Sequence, residues 1–571
     1  MPTADPRRKR VASRVLTCAA LVIGLLLVVG GTLILSPTLA QQVEDRLVNS
    51  LQIQGRWLGI FPIAFAPRPL ATPLATPQHP TGPVSGPLRV HATNPRYFSD
   101  AHGKLVLLTG SHTWTNLQDA GDGDPPPVFD YDAFLDFLEA HHHNFFRLWH
   151  WEQARWGSWN GIDGFRFAPH PYPRPGPGLA LDGKPKFDLS QFNQAYFDRM
   201  RARIIQAGER GFYVSVMLFD GWSIEDKGGW GTNPWQGHPF NLANNINGIN
   251  GDPNNDGQGL ELHSLTISTT LALQEAYIRK VIDTVGDLDN VLYEVSNESG
   301  AQSIEWQYHL INSIKRYEAT QPKQHPVGMT GLWPWPENNR ELANQALYDS
   351  PADWISPAGE LYNRPVATGD KVILADTDHL CGICGDRIFA WSSFTRGENP
   401  IFMDVWNCAP WWYPNDCERP VWPSLRTNLG YIADYASRID LAAMTPQPGL
   451  ASTNFILANG VASGAEYLVY LPEGGTVTVD LSATVGELVV EWFDPASGHS
   501  QVADPVQGGT EHTFTAPFPN DTVLYLHQQA STTTNFQLFL PVVGSGVINA
   551  PRSLAAVTKL RRGFLEGMAG V

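Results

Sequence analysis

The sequence predicts an α/β protein, a (β/α)8 TIM barrel followed by a small all-β sandwich domain. Three observations predict it. Between residues 88 and 445, short β-branched and aromatic runs alternate with segments whose apolar residues recur at helical spacing, the pattern of a parallel sheet with right-handed crossovers. No Gly-rich phosphate loop follows the first strand-like run, so a closed barrel fits better than an open nucleotide-binding sheet. From residue 446 the helical spacing stops, and short strands separated by Gly and Pro turns take over to residue 530, as in a sandwich.

Taken in order, the chain opens on Arg7, Arg8, Lys9, Arg10 and Arg14, then an apolar run from Val15 to Leu35. A basic flank before an apolar stretch is a secretory pattern. The run is long enough to span a bilayer, whereas Thr38-Leu39-Ala40 offers a cleavage site. Residues 1–40 are therefore read as a signal peptide or an N-terminal membrane anchor, with the rest of the chain outside the cytoplasm. Residues 41–87 form a Pro/Thr-rich linker carrying the repeat Pro69-Leu-Ala-Thr-Pro73-Leu-Ala-Thr-Pro77, an extended spacer. The tail 531–571 has no clear element, although Leu554 to Met568 could form a basic amphipathic helix.

Eight strands are expected in the barrel: 104–108, 144–149, 212–218, 291–295, 326–329, 353–355, 371–375 and 401–403. Between them, Phe192, Tyr196, Phe197, Met200 and Ile204 share one helical face, as do Leu273, Tyr277, Val281 and Ile282, and then Ile304, Tyr308 and Ile311. The sandwich strands are 467–471, 476–480, 488–492, 513–515 and 522–526.

Composition narrows the partners. The chain carries 19 Trp, only 17% charged residues and a formal net charge of −17. Mixed acidic and basic residues with a negative balance argue against nucleic acid. Abundant Trp suits flat apolar ligand surfaces such as sugar rings, although about half of them should fill the core. Membrane contact is expected only through the N-terminal segment. Cys381, Cys384, Cys408 and Cys417 lie close together in sequence, and in an exported chain they should form two disulfides among three connectivities. A four-thiolate zinc site is the sharper alternative.

The chemistry gathers at the expected strand ends, where a barrel does its work. Asn297 and Glu298 close the fourth strand. Asp376 closes the seventh and is followed by Asp378 and His379. His112 and Trp114 follow the first, Arg147 lies in the second, Asp220 and Trp222 follow the third, and Asp404 and Trp406 follow the eighth. Hydrolysis of a glycoside needs two carboxyls flanking the bond, one protonating the leaving oxygen and the other attacking carbon or activating water. An Asp at a strand end can equally be a helix N-cap or a turn carboxylate.

These residues make the chain resemble the cellulase-like clan of (β/α)8 glycoside hydrolases, whose acid/base motif is an Asn-Glu ending strand four. Asp376-Thr-Asp-His-Leu380, Asn399-Pro-Ile-Phe-Met-Asp404 and His238-Pro-Phe-Asn241 carry a narrower likeness to apiosidase-like exported bacterial hydrolases. Trp492-Phe-Asp-Pro-Ala-Ser-Gly498 resembles the sandwich appended to many such enzymes, including one labelled the collagen-binding domain of a collagenase. The resemblance implies an exported glycoside hydrolase acting on a poly- or oligosaccharide, with Glu298 as acid/base and Asp376 as nucleophile or base. It implies that Arg147 contacts the nucleophile and that Trp406 floors the sugar site. Asn297, His112, Trp114, Asp220, Trp222, Asp378, His379 and Asp404, polar or Trp residues at strand ends that packing would not need, are expected around the substrate. The chain departs from the clan in having Asp where the nucleophile is usually Glu. Asp378 is a rival for that role.

No cofactor is required by this chemistry. A structural calcium is the one ion the sequence offers, because Asp252, Asn254 and Asp256 open a loop with oxygen ligands at alternate positions and Gly257 at the sixth. The twelfth position is His263 rather than Glu, and an Asn/Gly-rich turn explains the run as well. The run His141-His-His143 reads as a helix-end turn rather than a metal site. The alternative function is a non-catalytic carbohydrate- or matrix-binding surface protein on the same scaffold.

Overall fold

The computed structural model describes residues 84–157, 164–228, 231–408 and 417–528. The N-terminal segment, nearly all of the linker and the tail lie outside these residues. No described helix is long and apolar enough to cross a membrane.

Eight parallel strands form the barrel: β1 (Gly110–His112), β2 (Phe145–Leu148), β3 (Tyr213–Asp220), β4 (Val291–Asn297), β5 (Val327–Thr330), β6 (Trp354–Ser356), β7 (Val372–Asp376) and β8 (Asn399–Met403). Their hydrogen-bonded order is β1-β8-β7-β6-β5-β4-β3-β2. The seam between β1 and β2 is closed by Asn144. Its backbone N–H donates to Thr109 O at 3.0 Å, its Oδ1 accepts from Thr109 N at 2.9 Å and its Nδ2 donates to Leu107 O at 2.7 Å. The strands are buried from end to end, as expected when helices cover one face and side-chain layers fill the other.

Eight helices accompany the strands: α1 (Tyr131–Ala140), α2 (Gln194–Glu209), α3 (Ser268–Val285), α4 (Ile304–Glu318), α5 (Arg340–Asp349), α6 (Thr377–Cys381), α7 (Arg387–Thr395) and α8 (Trp422–Arg438). The faces predicted from spacing are the buried ones: Tyr196, Phe197, Met200 and Ile204 of α2, and Tyr277, Val281 and Ile282 of α3, join one core with Val214, Val216, Tyr293 and Val295. Each such side chain contributes roughly 1.5–3 kcal/mol by leaving water. β6 leads to β7 with no helix between them.

One strand differs from the prediction. Leu105–Val106, expected as the first barrel strand, instead pairs antiparallel with Phe98–Ser99, which pairs with Arg89–Val90. The first barrel strand is the next segment, Gly110–His112. A polar, Gly-containing sequence gave it no strand signature. It is held by position: a Cβ on Gly110 would overlap the carbonyl of Phe145. Leu88 and Phe98 of the displaced small sheet pack with Phe145, Tyr213, Leu292, Trp354 and Val372, which start the barrel strands, and so cover the N-terminal mouth.

The sandwich consists of a six-stranded antiparallel sheet and a two-stranded one. Strand Glu466–Leu471 shows how it is attached. Tyr467, Val469 and Leu471 face the sandwich core, while Leu468 and Tyr470 belong to a cluster shared with Trp391 of α7 and Tyr435 of α8. Trp391 stacks on Tyr470 at 6.2 Å, and Phe493 meets Trp391, Tyr431 and Tyr435 at 5.1–5.7 Å. Two ion pairs flank this contact, Arg387–Asp521 at 2.7 Å and Arg438–Glu491 at 2.7 Å. The central strands Glu466–Leu471 and Thr522–His527 are therefore buried on both faces, between the sandwich core and α7 and α8.

The cysteines pair as Cys381–Cys384 and Cys408–Cys417, which removes the thiolates that a zinc site would need. His141 caps α1, and His143 is buried with its Nε2 3.0 Å from Arg426 O.

Candidate active site

Arg147, near the end of β2, is the centre of the C-terminal face. It is buried, and each of its five N–H donors has a partner. Nε and Nη2 hold Glu294 at 2.9 and 2.5 Å, Nη2 also donates to Asn297 Oδ1 at 2.7 Å, and Nη1 reaches Asp376 at 3.0 Å and Asp378 at 2.9 Å. Three carboxyls thus share one guanidinium. A buried cation is retained when it is paired in this way, and Arg147 is held charged: burial opposes this, but Glu294 and Asp376 outweigh it.

The two aspartates of β7 and α6 differ. Asp376 is fully buried. It accepts from His112 Nε2 at 3.0 Å, from Arg147, and from the backbone N–H of Asp378 at 3.0 Å, which caps α6. Burial alone would raise its pKa, but His112 and Arg147 outweigh burial and hold it ionised well below the usual range. Asp378 keeps 9% exposure against 0% for Asp376. Its pKa is raised to about 6, by burial first, against the pull of Arg147 and with the push of Asp376.

Glu298 follows β4 with a left-handed backbone, φ +46°, a costly conformation for a residue with a side chain. It is held by Gly221, where any Cβ would overlap the Glu298 carbonyl. The indole N–H of Trp222 donates to Glu298 Oε2 at 2.5 Å. Burial first, then the negative charge of Asp378, push its pKa to about 8. Both carboxyls are thus shifted toward their protonated forms, Glu298 further than Asp378.

Asn297 is fully buried, and its amide is oriented by its neighbours. Oδ1 lies 2.7 Å from Arg147 and 3.1 Å from His379 Nε2, while Nδ2 donates to Asp220 at 3.2 Å. His379 also meets Ser356 Oγ at 2.7 Å through Nδ1. Burial first and then Arg147 lower its pKa to about 3, so it is a neutral donor to Asn297. Asp220 is buried, with its pKa pushed up to about 7 by burial.

The structure thus brings together Arg147, His112, Asp220, Trp222, Asn297, Glu298, Asp376, Asp378 and His379. Three further predicted residues have these partners. Asp404 is buried in a bidentate pair with Arg426 at 2.7 Å. Trp406 packs against Phe129, Phe134 and Phe137 at 5.3–6.3 Å, so its ring is engaged with the start of α1. Trp114 is buried in an aromatic cluster with Trp149 and Trp151. The Asp252 loop is a series of side-chain turns, with Asp252 accepting from Gly257 N, Asn254 from Asp256 N and Asp256 from Gln258 N at 2.8–2.9 Å. Among the described residues, no group of three or more His, Cys, Asp and Glu side chains is placed to hold a metal ion.

Sequence reasoning missed Glu294 as the principal partner of Arg147, and a network behind Glu298. Glu152, after β2, accepts from Asp220 N at 2.8 Å and from His263 at 3.0 Å, with His238 Nε2 at 3.4 Å. His263 Nδ1 in turn lies 2.9 Å from Ser299 Oγ, beside Glu298. The signal was present: Glu294 is a lone charge in an apolar strand, and His263 stands where a calcium loop would carry Glu.

A family model described as a domain of unknown function (DUF6298) matches residues 159–332, a span that contains Glu298 but neither Asp376 nor Asp378. Another, described as "Putative collagen-binding domain of a collagenase", matches residues 453–527. No curated protein matches the chain in sequence. Among solved structures the chain is similar to a glycoside hydrolase (12% identity, 77% of this chain and 97% of that one, TM-score 0.48). It is also similar to a glycoside hydrolase family 5 protein from Bacteroides vulgatus ATCC 8482 (14% identity, 78% and 94%, TM-score 0.49). A third similar structure is endo-glycoceramidase II from Rhodococcus sp. (14% identity, 76% and 100%, TM-score 0.34).

Proposed function

We propose that the chain is an exported glycoside hydrolase that cleaves O-glycosidic bonds in a poly- or oligosaccharide, with Glu298 as the acid/base and Asp378 as the nucleophile or base. The observation that carries this reading is a pair of part-buried carboxyls at the C-terminal face of a barrel, Glu298 held by the Trp222 indole N–H and Asp378 by the Arg147 guanidinium, with burial raising the pKa of both and that of Glu298 further. Pairs whose environments separate their pKa values in this way divide into acid and base.

In the proposed reaction, Glu298 protonates the glycosidic oxygen as the bond to the anomeric carbon breaks. Asp378 either bonds to that carbon or removes a proton from the attacking water. Arg147 balances the charge on Asp378 throughout. Asp376, the residue the clan resemblance would make the nucleophile, is assigned a supporting role, because its oxygens are taken up by His112, Arg147 and the α6 backbone and it has no exposed surface. Two disulfides among the described residues support an oxidising compartment, consistent with export by the N-terminal segment.

The test is sugar release from a panel of plant and microbial glycans by the parent and by Glu298→Gln. Release by the parent alone supports hydrolysis with Glu298 as the acid. Release by both removes Glu298 from that role. The matrix-binding alternative rests on the sandwich, whose matched description names collagen; its seating on α7 and α8 supports a packing role instead.

A further inference from the structure

The loop after β5 reads Gly331-Leu-Trp-Pro-Trp-Pro336. Leu332 is buried, whereas Trp333 is 41% exposed. A single exposed aromatic is ordinary, but this one is braced. The Trp335 ring stands perpendicular to it at 5.6 Å, packs against the barrel core on its buried side and lies under Arg340, whose guanidinium is 5.7 Å from the ring.

Two close approaches fix where the strip lies. A Cβ on Gly331 would meet the His379 ring at 3.4 Å, and one on Gly300 would meet Pro334 Cδ at 3.3 Å. The Trp333 segment therefore runs between the loop carrying Glu298 and the helix carrying Asp378 and His379. The exposed Trp333 ring is thus set in a segment flanked by the elements that carry Glu298, Asp378 and His379. Arg340 sits on Trp335, and the catalytic-face group next to Gly331 is the uncharged His379 ring. An uncharged ligand with an apolar face suits this place better than an anion.

Building on the hydrolase reading, we infer that Trp333, braced by Trp335, is a stacking subsite for a neutral pyranose ring of the substrate, next to the scissile bond rather than at it. A sugar presents axial C–H groups on one face, and an aromatic ring takes that face without demanding a particular hydroxyl pattern. The subsite would bind a longer glycan more strongly than a short one.

The test compares the parent, Trp333→Ala and Trp333→Phe on a hexasaccharide and on a nitrophenyl monoglycoside of the sugar the parent releases. The expected result is that the hexasaccharide-to-monoglycoside ratio of kcat/KM falls about 10-fold in the Ala variant, mainly through KM, and about 2-fold in the Phe variant. An unchanged ratio overturns the subsite and leaves hydrolysis standing. If the parent releases no sugar, Glu298→Gln and Glu298→Gln/Trp333→Ala are compared for retention on an immobilised glycan panel. Retention by the first alone supports the subsite although the hydrolytic reading has failed. Retention by both, or by neither, overturns it.

Discussion

Asp376 and Asp378 bind the same nitrogen of Arg147, at 3.0 and 2.9 Å, yet only Asp378 keeps any exposed surface. The difference comes from α6. Asp376 turns back to cap the helix, and Asp378, one residue into it, is carried toward the open face. In the proposed reaction one aspartate fixes the guanidinium and the other uses it.

The pH dependence follows from the pair. Below about pH 6 Asp378 takes up a proton and loses its role as nucleophile or base. Above about pH 8 Glu298 loses the proton it must deliver. The kcat/KM profile should be bell-shaped, with apparent limbs near these values belonging to the pair as a whole. A rate that keeps rising from pH 6 to pH 9 would show that Glu298 is not the acid.

Glu298 should also reduce stability. Its folded pKa lies above the unfolded value of about 4.5, so the folded state is penalised progressively as pH rises through the unfolded pKa, and the penalty is complete above the folded one. Glu298→Gln removes the ionisation. Its melting temperature should exceed the parent's at pH 8 and match the parent's at pH 4. Equal melting curves at both pH values would contradict the burial argument.

The left-handed Glu298 backbone depends on the absence of a side chain at Gly221. Gly221→Ala should displace the Glu298 carbonyl and lower kcat about 100-fold, as expected for a displacement of the order of an ångström at the reacting group. Circular dichroism should remain that of the parent. A fully active Gly221→Ala variant would show that this contact does not position Glu298.

Phe493 joins the sandwich to Trp391, Tyr431 and Tyr435. Phe493→Ala should cost about 3–5 kcal/mol as a large-to-small core substitution, seen as one cooperative melt moving to lower temperature. Two separate melts, with the barrel's unchanged, would mean that the sandwich is an independent module.

The barrel was legible because helix periodicity and apolar strands are long-range repeats, and α2, α3 and β4 follow from Tyr196, Tyr277 and Val291 with their neighbours. β1 was not, since Gly110-Ser-His112 owes its place to the strands on either side. The sandwich's attachment was written in Tyr467-Leu-Val-Tyr-Leu471, where the lack of polar alternation marks a strand buried on both faces. Within the site, Asn297 and Glu298 could be named from a strand end, and Arg147 from the clan resemblance. The division of labour between Asp376 and Asp378 could not, because it depends on which side chain caps α6. The contacts of Trp406 with Phe129, Phe134 and Phe137 join residues distant in sequence and could not be read from it.

The most direct measurement sets Asp378→Asn beside Asp376→Asn at pH 7 on the glycan that the parent degrades, with external azide as a rescuing nucleophile. Asp378→Asn should lose at least about 1,000-fold in kcat and regain rate with azide, whereas Asp376→Asn should lose less and gain nothing. Azide rescue of Asp376→Asn, with Asp378→Asn still active, would reverse the two roles and contradict the account.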